Sequence, residues 1–105
     1  MAYAERKIQA SDGLSLNLVE WSREGVPMLL LHGYSNEAHI WDDFVPTVAP
    51  HYRVLALDLR GHGNSDWHPQ AAYAYDDHVA DLEAIVESLE KVAADAGLGI
   101  LELAL

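Results

Sequence analysis

The apolar run Val54-Leu55-Ala56-Leu57, stopped by Asp58 and followed by a glycine-hinged polar turn, constrains this chain more than any other stretch. Consecutive apolar residues without alternation describe a strand buried on both faces, and such strands belong to sheets covered by helices on either side. Beyond its end, the eleven residues Asp58 to His68 hold two aspartates, two histidines, an arginine and two glycines. Open α/β sheets bind their ligands just past the carboxyl ends of the strands. The functional site is therefore expected here.

The remaining chain builds an α/β sheet around that strand. Residues 3–10 and 14–21 nearly alternate and flank Ser11-Asp12-Gly13, which predicts a hairpin. Residues 23–27 read as a turn, 28–31 as a short buried strand, and 37–49 as a short helix bent or shortened by Pro46 and Pro50. Residues 52–57 form the next strand and 59–74 a long loop, which a small domain rarely carries without a functional reason. A long helix opens at Asp76, with Val79, Leu82, Ile85, Val86, Leu89, Val92 and Ala93 on one stripe to about Ala96 and its acids on the wet face. The apolar tail 98–105 fits either a strand or a docking helix. Strand and helix alternating after an opening hairpin predict parallel central strands in a single α/β domain over residues 1–105.

Charge narrows the partners. Six Lys plus Arg against 17 Asp plus Glu give −11, a field that repels nucleic-acid polymers and attracts divalent cations. No apolar run approaches a membrane span, and the amino terminus lacks a signal-peptide core. With no cysteine, disulfides and thiolate metal sites are excluded, and a cytoplasmic location is expected.

Leu29-Leu30-Leu31-His32-Gly33 followed by Trp41, and then Val54 through Asp58-Leu59-Arg60-Gly61-His62-Gly63-Asn64-Ser65-Asp66, resemble the amino-terminal part of α/β-hydrolase-fold enzymes over about residues 12–92. The resemblance implies that the 28–32 strand lies beside the 52–58 strand, with His32-Gly33 and the 58–68 loop on one rim. It also implies that the Tyr34 N–H forms half of an oxyanion hole. No G-x-S-x-G occurs: Ser35 lies in Gly33-Tyr34-Ser35-Asn36-Glu37 and Ser65 in Gly63-Asn64-Ser65-Asp66-Trp67. In that family the nucleophile, acid and histidine follow on later strands. The expectation is a truncated α/β-hydrolase-like sheet without Ser-His-Asp hydrolysis. Its bare 28–32 edge and apolar faces would be completed by a homodimer or higher oligomer, with the tail possibly exchanged.

For chemistry, imidazole and carboxylate side chains at His32, Asp58, His62, Asp66 and His68 suit one or two divalent transition-metal ions (zinc, manganese or iron), with His39 near enough in sequence to join. A metal-bound hydroxide would be the nucleophile, giving a metal-dependent phosphoesterase with phosphodiesters preferred. His32, Arg60 and Tyr34 are its catalytic candidates, as proton shuttle, anion clamp and oxyanion donor. Plainer roles stand beside these. Asp58 and Asp66 could hold the loop by hydrogen bonds, His32 could position the oxyanion turn, Arg60 could brace the loop, and His68 could be a surface residue. His39, His51 and His78 suit surface, turn or cap roles, while Trp41, Trp67, Tyr73 and Tyr75 suit packing. The alternatives to a phosphodiesterase are a noncatalytic oligomeric fragment of an α/β-hydrolase and a metal-assisted carboxylester or lactone hydrolase. Expected partners are a small-molecule ester and a second copy of the chain, with no nucleic acid and no membrane.

Overall fold

The expected hairpin forms because Gly13 can adopt φ +85° and the Asp12 carboxylate caps the turn by accepting the Leu14 N–H at 3.2 Å. It joins β1 (Ala4–Gln9) to β2 (Ser15–Glu20) in antiparallel register. A computed structural model describes residues 2–22, 24–95 and 102–104, with side chains to residue 91. After β2 come β3 (Val26–Leu31), a 3-10 turn (Ala38–Trp41), α1 (Val45–Val48), β4 (Tyr52–Leu57), α2 (Tyr75–Asp95) and β5 (Glu102–Ala104). The sheet order is β1-β2-β4-β3-β5. β3 and β4 run parallel with Leu29 opposite Leu55 and Leu31 opposite Leu57, as the resemblance implied.

The apolar run works as the sequence suggests. Odd positions Leu29, Leu55 and Leu57 join Leu16 and Leu18 under Ile85 and Leu89 of α2. Even positions Leu30, Val54 and Ala56 join Val19 on the other face, beneath Ala38 and Val45. One strand thus feeds two cores, because successive side chains leave a strand on opposite faces. Glu20, buried at the end of β2, accepts from Nε and Nη2 of Arg53 at 2.8 and 2.5 Å.

Several expectations change. The 37–49 helix is broken into the 3-10 turn and α1, because Pro46 has no N–H to continue an α-helical ladder. Val26 and Pro27 already belong to β3, where β4 pairs with them opposite Tyr52 and Arg53. The β3 edge is not bare: β5 lies parallel to it, with Met28 opposite Glu102 and Leu30 opposite Ala104. Residues 98–101 and 105 of the expected tail, and the stripe side chains of Val92, Ala93 and Ala96, lie outside the described residues. Helix α2 begins at Tyr75, where Asp77 reaches back to accept the Ala74 N–H at 2.9 Å, half of a capping box. Its Asp81 is not on the wet face but 2 % exposed. No described helix is long and apolar enough to cross a membrane.

Candidate functional site

Asp58 ends β4 at 2 % exposure and ties four pieces of chain together. Its Oδ1 accepts the Ala38 N–H at 2.7 Å, and its Oδ2 accepts from Asn17 Nδ2 at 3.0 Å and the Asn64 N–H at 3.1 Å. Ser65 Oγ donates to the Asp58 carbonyl at 2.5 Å and accepts the Asn17 N–H at 2.8 Å. Asp66 Oδ2 accepts the Ser15 N–H at 3.0 Å. The loop after β4 is therefore fastened to β2 by its own carboxylates and hydroxyl, and Lys7 of β1 also donates to the Asn64 carbonyl. Gly63 sits at φ +49° against Asp58, where a Cβ would overlap the carboxylate.

Arg60 lies 1 % exposed beneath the loop. Its Nε and Nη2 donate to Asp81 at 2.7 and 2.6 Å, Nη2 also to Asp12 at 3.0 Å, and Nη1 to the Ala72 carbonyl at 3.0 Å. The two Asp81 bonds, against burial, raise its pKa further. Asp12 is held below the usual carboxylate range by the Leu14 N–H, which together with Arg60 outweighs burial. Arg60 is a brace joining hairpin, loop and α2, and the anion-clamp role is corrected: the side chain is 1 % exposed and already donates four hydrogen bonds within the protein.

The rim holds His32, Tyr34 and His62. His32 is 6 % exposed; burial, opposed by the Gly33 carbonyl and reinforced by His62, keeps its pKa below the ordinary histidine value. Its ring lies 5.0 Å from that of His62, which in turn meets the Tyr34 ring edge-on at 5.4 Å. Tyr34 is 78 % exposed, and its N–H makes no hydrogen bond among the described residues. Together with Ser35, Gly61, His62, Trp67 and Tyr73 it lines an open cleft of about 340 Å³. A second cleft, of about 450 Å³, opens between His32-Gly33 and the Ile40–Phe44 segment.

The five expected metal ligands share one region but not one ion-sized shell. Among the described residues, no three His, Asp or Glu side chains group so as to hold a metal ion. His68 turns away, with Nδ1 accepting the Gln70 N–H at 3.1 Å and Nε2 3.7 Å from Asp12. Asp58 spends both carboxylate oxygens on backbone and amide donors, and Asp66 its Oδ2 on the Ser15 N–H.

His39 stands apart. Its Nδ1 is 2.8 Å from Asp42 Oδ1 and its Nε2 3.3 Å from Glu5 Oε1, so both ring nitrogens meet carboxylates and the imidazolium form fits best. Burial pulls its pKa down, yet Asp42 and Glu5 outweigh burial and the net shift is upward. A histidine pKa raised on folding adds stability that is complete below about pH 6.5 and lost as pH rises through the folded value. The stability gap between wild type and His39→Gln, from urea midpoints, should therefore shrink between pH 5.5 and pH 9; a gap that widens would contradict this.

Sequence reasoning passed over Asn17, Asp12 and Asp81, the partners that hold the loop from outside it. Asp81 carried a signal: it falls one residue before Leu82 and four before Ile85, at the border of the apolar stripe rather than opposite it. Among the described residues, His78 Nδ1 and Trp41 Nε1 are buried without a hydrogen-bond partner.

Comparison with known proteins supplies the frame. A family model described as alpha/beta hydrolase fold matches residues 26–93. The chain is similar to a non-heme chloroperoxidase of Streptomyces lividans, 36% identical over 85 residues covering 79% of this chain and 30% of that protein. It is 38% identical over 76 residues to a haloalkane dehalogenase of Mesorhizobium japonicum, covering 72% of this chain and 24% of that protein. Among solved structures, an epoxide hydrolase from Vigna radiata superposes with a TM-score of 0.79 at 26% identity, covering 96% of this chain and 30% of that one. The chain thus spans less than a third of the length of these relatives. These matches overturn two expectations. The metal-dependent phosphodiesterase is corrected, because the relatives are α/β-hydrolase-fold enzymes of other kinds. The exclusion of Ser-His-Asp chemistry is corrected as well, because that fold family works through a nucleophile, an acid and a histidine.

Proposed function

Because the chain belongs to the alpha/beta hydrolase fold family, we propose that its 32–36 turn is the oxyanion side of a hydrolase site of the Ser-His-Asp type. The carrying observation is the Tyr34 N–H, past the carboxyl end of a parallel strand, without a partner among the described residues and beside an open cleft. A donor so placed stabilises negative charge developing on a substrate oxygen. A noncatalytic fragment of an α/β-hydrolase is the alternative reading, compatible with residues that hold no G-x-S-x-G. The relatives' names point to small neutral substrates such as epoxides and alkyl halides. The aromatic walls of the cleft and the net charge of −11 favour such uncharged molecules over anions.

The test is a chimera in which residues 26–93 replace the matching segment of the Vigna radiata epoxide hydrolase. It should open epoxides, whose oxygen takes up the developing negative charge, and Tyr34→Pro, which deletes the N–H, should lower kcat by about 10²–10³-fold with little change in urea midpoint. Undiminished turnover by Tyr34→Pro would end the proposal.

The homodimer belongs to the same reading. Its support is the contrast between sheet edges: β1 carries Glu5, Arg6 and Lys7, whereas β5, the other edge among the described residues, has the single charge of Glu102. A concentration-independent monomer in sedimentation equilibrium would remove it.

A further inference from the structure

Two successive peptide planes meet at Tyr34, and a histidine grips each of them. The first plane carries the Gly33 carbonyl at one end and the Tyr34 N–H at the other. The Gly33 oxygen lies 2.7 Å from His32 Nδ1 and also accepts the Asn36 N–H at 3.3 Å. The second plane carries the Tyr34 carbonyl and the Ser35 N–H, and that N–H donates to His62 Nε2 at 3.2 Å. Since a trans peptide is rigid and planar, holding the oxygen of the first plane fixes the direction of its N–H.

The grip is reciprocal. His32, on the turn, accepts the Leu59 N–H of the loop at Nε2, 3.0 Å away. His62, on the loop, accepts from the turn and places its Nδ1 2.9 Å from its own loop's Arg60 carbonyl. An Nε2 that accepts carries no proton, so in each neutral ring the proton sits on Nδ1, where a carbonyl receives it. All four ring nitrogens are used, and only this tautomer satisfies all four partners.

Ser35 shows that the grip is needed. It sits at φ +62°, the left-handed region that non-glycine residues seldom enter and that costs free energy to hold. Among the described residues, the acceptor of its N–H is His62 alone.

We infer that His32 and His62 are a matched pair of positioning residues that fix the two peptide planes flanking Tyr34, each acting as the neutral Nδ1–H tautomer. This rests on the oxyanion reading for its purpose, but the positioning can be read on the chain alone, without turnover.

The experiment is nitrogen-15 NMR of the imidazole rings together with amide hydrogen exchange. In the wild type both rings should show a protonated Nδ1 and an unprotonated Nε2, the reverse of the form favoured by a free side chain. His62→Phe keeps a ring and removes both nitrogens, so Ser35 exchange should accelerate about tenfold or more. His62→Gln offers its Oε1 near the position of Nε2 and should return Ser35 exchange to within about threefold of wild type. Leu55, in the middle of β4, should exchange slowly throughout and reports that the fold is intact. An Nε2–H signal from either ring in the wild type would overturn the inference, and that measurement stands even if a variant fails to fold. Unchanged Ser35 exchange in a folded His62→Phe would overturn it equally. Either failure would leave the oxyanion reading to be judged separately by Tyr34→Pro in the chimera.

Discussion

Replacing Asp81 with alanine is expected to lower the unfolding free energy by about 3–5 kcal/mol, read from a urea titration followed by circular dichroism. The size follows from what would be left behind. Arg60 is 1 % exposed, and Asp81 accepts both its Nε and its Nη2. Without Asp81 the guanidinium keeps the half-exposed Asp12 and the Ala72 carbonyl, too little to balance a buried cation. Asp81→Asn should fall between, because the amide oxygen can still accept one bond. The paired change Arg60→Leu with Asp81→Leu should recover much of the loss, since removing both members of a buried pair costs less than orphaning one. If Asp81→Ala unfolded at the wild-type midpoint, the brace would contribute nothing to the fold.

Gly63→Ala should be the next most damaging change, on the order of 3 kcal/mol, from left-handed strain together with a broken buried hydrogen-bond set. At φ +49° a new Cβ would overlap the Asp58 carboxylate, which must move and release the N–H groups of Ala38 and Asn64. Gly13→Ala is the control. Gly13 is also left-handed, at φ +85°, but nothing lies within 4 Å of its missing Cβ. Only the backbone strain applies there, about 1 kcal/mol. Equal losses at the two positions would show that crowding against Asp58 has no part in the effect.

The strands were legible because their information is local. The run 54–57 has to be buried on both faces, and Ser11-Asp12-Gly13 can do little other than turn. Pro46 marks the 37–49 segment as a bent or shortened helix for an equally local reason, its missing N–H, but the grouped apolar residues do not show that it splits into a 3-10 turn and α1. The site was half legible. The polar cluster pointed to the stretch past the end of β4, and the family resemblance supplied the rim shared with His32. What the residues do there did not follow, because imidazoles and carboxylates that hold a loop have the same composition as those that hold an ion. Their partners decide between the two, and those partners are a backbone N–H at Ala38, an amide at Asn17 and a helix aspartate at position 81. None of them is a neighbour in sequence of the residue it satisfies.

That separation bears on how the protein could be re-engineered. The loop from Asp58 to Ala72 is anchored at Asp12, Ser15 and Asn17, all in or beside the opening hairpin. Grafting the loop onto another sheet would therefore transfer a shape without its moorings. The transplantable unit is discontinuous, comprising residues 12–17, the loop and the first turns of α2. Tyr73 belongs to that frame, since its hydroxyl accepts the His68 N–H, so diversifying the rim without altering the frame leaves Tyr34 and Trp67 as the positions to vary.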